Sequence, residues 1–269
     1  MSSAPTSTDL HRSPPIGRVL IIAGSDSGGG AGIQGDIKTV SALGGYAMTA
    51  ITALTAQNTQ GVFGIHPIPE DFIAQQMRLC LEDIGADAIK TGMLHSAGVI
   101  EVVAANLPQD IPFVLDPVMV AKGGAPLLEA VALDALKTKL MPRATIITPN
   151  LPEAELLLGH TIAEDAMEDA ARALLAFGAQ AVLLKGGHGM GEVLTDVLVA
   201  RDGTRLRLST QRMATRHTHG TGCAFASAIA TGLAQQMPLS ESVMRAHAYV
   251  QDAIARAPGF GSGNGPLGH

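Results

Sequence analysis

The sequence predicts an α/β fold in which one mostly parallel sheet is covered by helices on both faces. Short apolar runs, of which Arg18–Ala23 is the first, end at Gly or Pro and are typical of strands buried on both sides. Stretches with apolar residues at helical spacing alternate with these runs, which is typical of a parallel sheet. Residues 193–208 break the alternation with a turn at Asp202-Gly203, so we expect a small antiparallel hairpin at a sheet edge.

The elements can be placed in order along the chain. Phe113–Leu115, for example, is a strand that stops at Asp116-Pro117, because Pro cannot donate the next hydrogen bond of the ladder. The predicted parallel strands are Arg18–Ala23, Tyr46–Thr55, Ala88–Lys90, Phe113–Leu115, Thr145–Thr148 and Ala181–Leu184. The predicted helices are Ala31–Leu43, Glu70–Asp83, Ala97–Ala105, Leu127–Leu140, Glu153–Leu158, Ala163–Phe177, Cys223–Gln236 and Leu239–Ala257.

The chain divides into one domain and two flanking segments. Residues 18–258 contain no linker, repeat or low-complexity stretch, so we expect a single domain there. Residues 1–17 begin with a Ser-, Thr- and Pro-rich stretch that lacks the apolar centre of a signal peptide, and we interpret them as a disordered leader. Residues 259–269 are rich in Gly and predict a loop or loose tail.

Composition excludes several classes of protein. The 269 residues are 46% hydrophobic and 16% charged, which is enough for a large core. A net charge of -6, with 3% aromatic residues and no Trp, argues against a nucleic-acid partner. No apolar run approaches the ~20 residues that span a bilayer. The two cysteines, Cys80 and Cys223, form no disulfide framework, so we predict a cytoplasmic location.

A Gly-rich segment follows the first strand, from residue 23 to residue 36. Its glycines allow positive φ angles and a close approach of the backbone to a ligand. Gly30, Gly32 and Gly35 match the dinucleotide pattern G-x-G-x-x-G, but the strand ends too early and no acidic residue follows at residues 55–60. Asp26 and Asp36 flank the loop, where each either binds a substrate or caps the local backbone.

A second loop, Gly220-Thr221-Gly222, runs directly into a helix of small residues. The free N–H groups and the dipole at a helix start attract anions, so this loop is a candidate site for a phosphoryl group. Cys223 falls in the first helical turn, where a thiol is expected to have a lowered pKa and could accept a proton. The alternative is a small buried residue. His217 and His219 lack a metal-binding spacing and indicate a polar loop.

Polar residues also follow the later strands. Asp116 and Glu153 follow neighbouring strands, and two carboxylates beside phosphates suit Mg²⁺. Glu153 could equally belong to a helix capped by Asn150, three residues earlier. Lys185 ends a strand and precedes two glycines, so it either binds a phosphate or is solvated.

Taken together, the motifs resemble the hydroxymethylpyrimidine/phosphomethylpyrimidine kinase branch of the ribokinase-like superfamily. The matching segments are IAGSDSGGGAGIQGDIKT, ITALTAQNT, IKTGML, VLDPVMVAKGG, ITPNLPEAELL, LLKGGH and THGTGCAFASAIA. The resemblance implies a three-layer αβα sandwich and an enzyme that uses ATP and Mg²⁺. It would phosphorylate 4-amino-5-hydroxymethyl-2-methylpyrimidine, then the monophosphate, for thiamine biosynthesis. It also implies a homodimer.

The resemblance also assigns residues on the substrate side. Gln57, aided by Asp36, would hydrogen-bond the aminopyrimidine edge. The ring pocket would be lined by Ala31, Thr55, Met93 and Val118.

On the phosphate side, residues 220–222 would form the anion hole and Asp116 and Glu153 would organise Mg²⁺. The groups near the ATP phosphates would be Asn150, Lys185 and Thr221. Many ribokinase-like enzymes have an Asp that acts as base where this branch has Cys, here Cys223.

Three alternatives remain open from the sequence. A pyridoxine or pyridoxal kinase has the same fold, and some relatives handle both substrates. An NAD-dependent oxidoreductase would use the G-x-G-x-x-G pattern. A non-catalytic pyrimidine sensor would bind the ring without turnover.

Overall fold

The computed structural model describes residues 16–120, 124, 127–129, 131–187 and 191–269. Most of the predicted leader lies outside these residues, as do residues 121–123 and His188, which belong to two of the motifs. The strands are β1 (Arg18–Ala23), β2 (Tyr46–Ile51), β3 (Ala53–Asn58), β4 (Gly61–Pro67), β5 (Ala88–Thr91), β6 (Phe113–Leu115), β7 (Ile146–Ile147), β8 (Ala181–Leu184), β9 (Val193–Ala200) and β10 (Arg205–Gln211). The helices are α1 (Gly32–Ala42), α2 (Glu70–Leu79), α3 (Ala97–Asn106), α4 (Ala132–Ala135), α5 (Leu151–Leu158), α6 (Met167–Leu174), α7 (Thr221–Ala234) and α8 (Leu239–Ala255).

The main sheet has the strand order β10-β9-β8-β7-β6-β5-β1-β2. Strand β9 runs antiparallel to both of its neighbours, β8 and β10, and the pairs from β8 to β2 are parallel. The predicted parallel sheet with an antiparallel edge hairpin is therefore confirmed. Because the parallel strands share one direction, the loops at their carboxyl ends meet at one edge of the sheet.

Helices cover both faces of this sheet. Side chains of β1 alternate between the faces, as the pleat requires: Leu20 and Ile22 pack with α2 to α6, whereas Val19 and Ile21 pack with α1, α7 and α8. These residues are fully buried, so β1 is apolar from Val19 to Ala23. The three-layer arrangement implied by the resemblance is thus the observed one.

The predicted strand Tyr46–Thr55 is two strands in different sheets. The N–H of Thr52 donates to the carbonyl of Ala23 at 3.1 Å, and the N–H of Ser25 donates to the carbonyl of Ala53 at 2.9 Å. After this crossing the chain forms β3, which pairs with β4 in a separate two-stranded antiparallel sheet. This second hairpin was not predicted. It carries Gln57.

Two other expectations need correction. The helix predicted from Leu127 begins only at Ala132, because the N–H of Leu127 donates to the carbonyl of Met119 at 2.9 Å in a non-helical loop. Residues 259–269 are not a loose tail. Leu267 is buried, and the N–H of Gly268 donates to the carbonyl of Ala253 at 2.9 Å.

The same segment reaches the loops at the carboxyl edge of the sheet. The N–H of Asn264 donates to the carbonyl of Thr59 at 2.8 Å, and the N–H of His219 donates to the carbonyl of Gly265 at 3.1 Å. Among the described helices, none combines the length and the apolar character that a membrane crossing requires.

Candidate active site

Asp26 organises the Gly-rich loop. Its carboxylate accepts hydrogen bonds from the N–H groups of Gly28 at 2.8 Å, Gly30 at 3.1 Å and Ala31 at 2.8 Å. Burial alone would raise the pKa of Asp26, but a hydrogen bond from His219 and these backbone donors outweigh it and lower the pKa. Asp26 is therefore an ionised residue that holds the loop. Of the two roles left open by the sequence, it has that of capping the local backbone.

The loop Gly220-Thr221-Gly222 lies directly against the Gly-rich loop. Gly220 has a φ of 86°, and a Cβ at this position would overlap the carbonyl oxygen of Gly30. Helix α7 begins at Thr221, whose hydroxyl donates to the carbonyl of Thr218 at 2.7 Å. The two loops are therefore in contact, and the N–H groups in the first turn of α7 are a candidate anion site.

Asp116, Lys185 and Glu153 form a charged cluster beside the start of α7. Lys185 Nζ lies 3.1 Å from Asp116 Oδ1. A Cβ on Gly222 would lie 3.2 Å from Lys185 Nζ and 3.9 Å from Asp116 Oδ2, so the ion pair adjoins the anion loop. Thr148 Oγ1 also donates to Asp116 Oδ1, at 3.1 Å.

Glu153 has the capping role suggested by its position. Its N–H donates to Asn150 Oδ1 at 2.9 Å and its carboxylate accepts from the Asn150 N–H at 2.8 Å, which is a capping box. Burial, and then the charge of Asp116, raise the pKa of Glu153 to about 7, although Lys185 acts in the opposite direction. Two carboxylates that repel each other in this way fit a divalent cation.

A second ion pair lies deeper. Lys90 Nζ contacts both carboxylate oxygens of Asp36, at 2.8 and 2.9 Å, and Ser227 Oγ donates to Asp36 at 2.7 Å. Both charged side chains are 0% exposed. Burial alone would lower the pKa of Lys90, but the nearby negative charges, that of Asp36 first, together with the hydrogen bond to Asp36, outweigh burial and raise the pKa. Asp36 is thus occupied within the core, and its predicted role as a substrate ligand is corrected on this ground.

The expectation of a reactive thiolate at Cys223 is also corrected. Burial raises the pKa of Cys223 to about 12, and the carboxylates of Asp36 and Asp116 add to this, whereas the charge of Lys90 acts against it. Desolvation of the thiolate exceeds the benefit of the helix start. Cys223 is therefore a neutral thiol in the ligand-free protein at neutral pH.

The residues expected around the substrate ring lie in the Gly-rich loop and in the segments beside it. Thr55 Oγ1 donates to the carbonyl of Ser25 at 2.8 Å, and the Gln57 backbone pairs with Ser27 Oγ. Two of the expected side chains, Met93 and Val118, belong to an apolar cluster that also contains Ala53. Ala31 lies in the Gly-rich loop held by Asp26, so the structure brings this set to one edge of the sheet.

The family of the chain follows from comparison with known proteins. The model of the phosphomethylpyrimidine kinase family matches residues 26–268, which include both loops and the charged cluster. The chain belongs to this family.

Relatives in this family are similar over nearly the whole chain. The hydroxymethylpyrimidine/phosphomethylpyrimidine kinase of Haemophilus influenzae is 48% identical over 261 residues, covering 94% of this chain and 97% of the relative. The corresponding kinase of Bacillus subtilis is 46% identical, covering 94% of this chain and 95% of the relative. The thiamine biosynthesis bifunctional protein ThiED of Geobacter sulfurreducens is 51% identical, but the chain spans only 54% of its length.

Solved structures place the chain among vitamin kinases. Pyridoxal kinase of Bacillus subtilis, in an ADP complex, has a TM-score of 0.85 and 37% identity, covering 94% of this chain and 97% of that one. Phosphomethylpyrimidine kinase of Clostridium difficile has a TM-score of 0.77 and 40% identity, covering 88% of this chain and 99% of that one. Pyridoxal kinase of Staphylococcus aureus is among the neighbours with AMP-PCP bound. The family and these neighbours make the chain an ATP-using kinase.

Membership in a kinase family rules against the oxidoreductase and sensor alternatives. The structure also shows what the glycines of residues 30–35 do: they let the loop fold around Asp26 and lie against Gly220. Among the described residues, no group of three or more His, Cys, Asp or Glu side chains is arranged to hold a metal ion.

Sequence reasoning missed three polar residues of this region. Lys90 lies in the motif IKTGML and His219 in THGTGC, yet neither was given a role. Ser227, on α7, was treated as part of a small-residue helix. The signal for Lys90 was its position in a predicted strand of the sheet. Such a strand is buried in the structure, and a buried Lys requires a buried partner.

Proposed function

We propose that this kinase transfers the terminal phosphoryl group of ATP to the hydroxymethyl oxygen of 4-amino-5-hydroxymethyl-2-methylpyrimidine. A second transfer, onto the monophosphate, would give the diphosphate for thiamine biosynthesis. The observation that carries this proposal is the contact of Gly220 with Gly30, which joins the loop at the start of α7 to the Gly-rich loop. The names of the relatives with 46–48% identity support the same substrate.

The phosphoryl group in transfer would lie at the start of α7. The N–H groups at the start of α7 and the ammonium of Lys185, which adjoins Gly222, would stabilise the charge on the phosphoryl oxygens. Thr221 and Asn150 would contact the ATP phosphates from either side of Lys185. The ring would bind between Ala31, Met93 and Val118, with Thr55 and Gln57 along its polar edge.

Mg²⁺ fits the charged cluster. Asp116 and Glu153 would hold it, because burial and then the charge of Asp116 raise the pKa of Glu153, and a cation between the two carboxylates would relieve their repulsion. Two carboxylates with phosphate oxygens and water are the ligand set that Mg²⁺ commonly has in kinases. When bound, the ion would neutralise charge on the phosphates. Lys185 and the start of α7 would then hold the phosphoryl group in line with the alcohol.

Cys223 contributes to catalysis through contact with the alcohol rather than as a preformed thiolate. With a pKa of about 12, its thiol is almost fully protonated at pH 8. Phosphoryl transfer depends mainly on positioning and charge stabilisation, and early removal of the proton is not required. We expect Cys223→Ala to keep measurable turnover, with kcat lowered about tenfold to a hundredfold. The kcat of Cys223→Ser should lie between those of the wild type and Cys223→Ala.

The test is an assay of the purified full chain with ATP, Mg²⁺ and the pyrimidine alcohol. Release of ADP is followed by a coupled assay, and ³¹P NMR identifies the monophosphate and diphosphate. Lys185→Ala is the matched inactive control. Absence of ADP release with wild-type protein at saturating Mg²⁺ would contradict the proposal.

Pyridoxine is the second candidate substrate, because pyridoxal kinase structures with TM-scores of 0.83–0.85 are among the neighbours. The ratio of kcat/KM values for the two alcohols separates the candidates. We expect the aminopyrimidine to be preferred, since Gln57 offers a donor and an acceptor to its edge.

We also propose a homodimer and a cytoplasmic location. Phe63 on β4 and Phe72 on α2 are exposed large apolar side chains that a second copy could cover. Size-exclusion chromatography with light scattering tests the dimer. Cys80 and Cys223 are unpaired, which fits a reducing compartment.

A further inference from the structure

Three side chains meet where the ring pocket joins the anion loop. His219 Nε2 lies 2.8 Å from Asp26 Oδ2 and 3.3 Å from Gln57 Nε2. His219 immediately precedes Gly220, and Asp26 holds the Gly-rich loop. His219 therefore contacts the presumed ring-binding amide from within the segment that forms the anion hole.

The hydrogen on His219 can be placed from its partner. Asp26 is 2% exposed and already accepts hydrogen bonds from three backbone N–H groups. A carboxylate with this many donors is ionised and can only accept a further hydrogen bond. His219 Nε2 must therefore carry a hydrogen and donate it to Asp26, whether or not the other ring nitrogen is protonated.

This hydrogen determines which end of the Gln57 amide faces the imidazole. An amide NH₂ group opposite an N–H donor would be unfavourable, whereas the amide oxygen can accept from it. On the other side of the amide, Thr55 Oγ1 lies 3.2 Å from the atom placed as Gln57 Oε1, and it donates its single hydrogen to the carbonyl of Ser25 at 2.8 Å. The hydrogen-bond pattern therefore favours exchanging the oxygen and nitrogen of this amide. Thr55 thus offers a lone pair, which suits the NH₂ group.

We propose that His219 is a positioning residue that orients the amide of Gln57, with the oxygen towards the imidazole and the NH₂ group towards Thr55, and that it thereby selects the ring of the substrate. The second N–H and the second lone pair of this amide then have fixed positions. Together they match a ring edge that presents an acceptor nitrogen beside an amino group. This proposal rests on the proposed function, since it concerns how that substrate is recognised.

The first experiment compares two alcohols in His219 variants. In His219→Leu we expect the KM of the aminopyrimidine alcohol to rise at least about tenfold, while its preference over pyridoxine falls by about the same factor and the KM of ATP changes less than about twofold. His219→Gln keeps a side-chain N–H and should recover much of the preference. His217→Leu, which removes an imidazole packed against Gly265, is the matched control and should leave the preference unchanged.

A purely structural role for His219 would lower kcat/KM for both alcohols equally and raise the KM of ATP, and that outcome would overturn the proposal. A double-mutant cycle with Gln57→Ala adds a second criterion. The effects of His219→Leu and Gln57→Ala on kcat/KM for the aminopyrimidine should be far from additive, because Gln57→Ala removes the amide that His219 positions.

The second experiment does not depend on turnover or on the folding of a variant. Long-range ¹H–¹⁵N correlation NMR of the wild-type protein reports which ring nitrogen of His219 carries hydrogen. Protonated Nε2 supports the proposal, whereas a bare Nε2 with hydrogen only on Nδ1 would overturn it. If wild-type protein phosphorylates neither alcohol, the proposed function fails, but this measurement still decides the orientation of the amide.

Discussion

Two lysine–aspartate pairs lie at the carboxyl ends of the parallel strands, and they differ in what surrounds them. Lys90 and Asp36 make two contacts of 2.8 and 2.9 Å, and both are 0% exposed. Lys185 makes one contact of 3.1 Å with Asp116, and its side chain is 12% exposed. Glu153 adds a second negative charge to this outer pair, whereas Ser227 adds a neutral donor to the inner one.

The difference shows that the same pair of residue types can stabilise the core in one place and belong to the candidate active site in another. Both charges of the inner pair are matched within the protein, so it holds α1, β5 and α7 together and has no capacity for a ligand. The outer cluster has a second carboxylate beyond its ion pair, and under the proposed function a bound cation would neutralise that charge. The predictions below separate these two roles, from the largest expected effect to the smallest.

The largest effect is expected from breaking the inner pair. Lys90→Met leaves the Asp36 carboxylate buried without a counter-charge, and we expect the free energy of unfolding to fall by about 3–5 kcal/mol. Urea unfolding followed by circular dichroism measures this. The double variant Lys90→Met/Asp36→Leu should recover most of the loss, because a buried pair can be replaced by apolar groups. An unchanged urea midpoint in the single variant would show that the pair is not a structural element.

The outer pair should show the opposite pattern. Lys185→Met removes a charge that faces the transferred phosphoryl group, so kcat/KM should fall by about 10²–10³-fold. Its unfolding free energy should decrease by less than half of the loss seen for Lys90→Met, since the side chain reaches the cleft. Steady-state kinetics and urea unfolding on the same preparations provide the comparison. Equal losses of stability in the two variants would remove the distinction between the pairs.

Glu153 gives a pH-dependent test. Because its pKa is raised to about 7 in the folded protein, the folded state holds a proton that the unfolded chain releases at lower pH. The stability of the wild type relative to Glu153→Gln should therefore fall as pH rises from 5 to 7 and level off above pH 7, by about 3 kcal/mol in total. Urea unfolding at several pH values in EDTA measures it. A constant difference between pH 5 and pH 8 would contradict the raised pKa.

The smallest effects are expected from the hydroxyl groups that support each aspartate. Ser227 donates to Asp36 at 2.7 Å and Thr148 donates to Asp116 at 3.1 Å. Ser227→Ala and Thr148→Val should each lower the free energy of unfolding by about 1–2 kcal/mol. Only Thr148→Val should also lower kcat/KM, by a few-fold. A loss of activity in Ser227→Ala as large as that in Thr148→Val would join the inner pair to catalysis.

Much of the fold was predictable because its signals are local. Apolar runs such as Arg18–Ala23 and the turn at Asp202-Gly203 identify the strands of the main sheet and the hairpin at its edge. The separate β3–β4 sheet was missed because no Gly or Pro marks the break at Thr52, where hydrogen bonds to distant backbone groups redirect the chain. The packing of segment 259–269 was missed because its Gly-rich composition indicates a loop, whereas its hydrogen bonds run to distant backbone groups.

For the candidate site, position after a strand was a good guide, but burial was not visible. The sequence placed Asp36 and Asp116 in similar loop contexts. Only the fold shows that Asp36 faces Lys90, 54 residues away, inside the core. The thiol of Cys223 likewise had the helix start in its favour, and the desolvation that raises its pKa to about 12 comes from packing across the sheet. Charge balance between distant segments is a property of tertiary structure.

The contacts of residues 264–266 also bear on how the enzyme is made. These residues fasten the turn after β3 and the backbone of His219, so the pocket edge that contains Gln57 is completed by a stretch synthesised about 200 residues after it. A nascent chain that has been synthesised only as far as β10 still lacks these contacts. The segment around Gln57 therefore acquires its final contacts only after residues 264–266 have been synthesised.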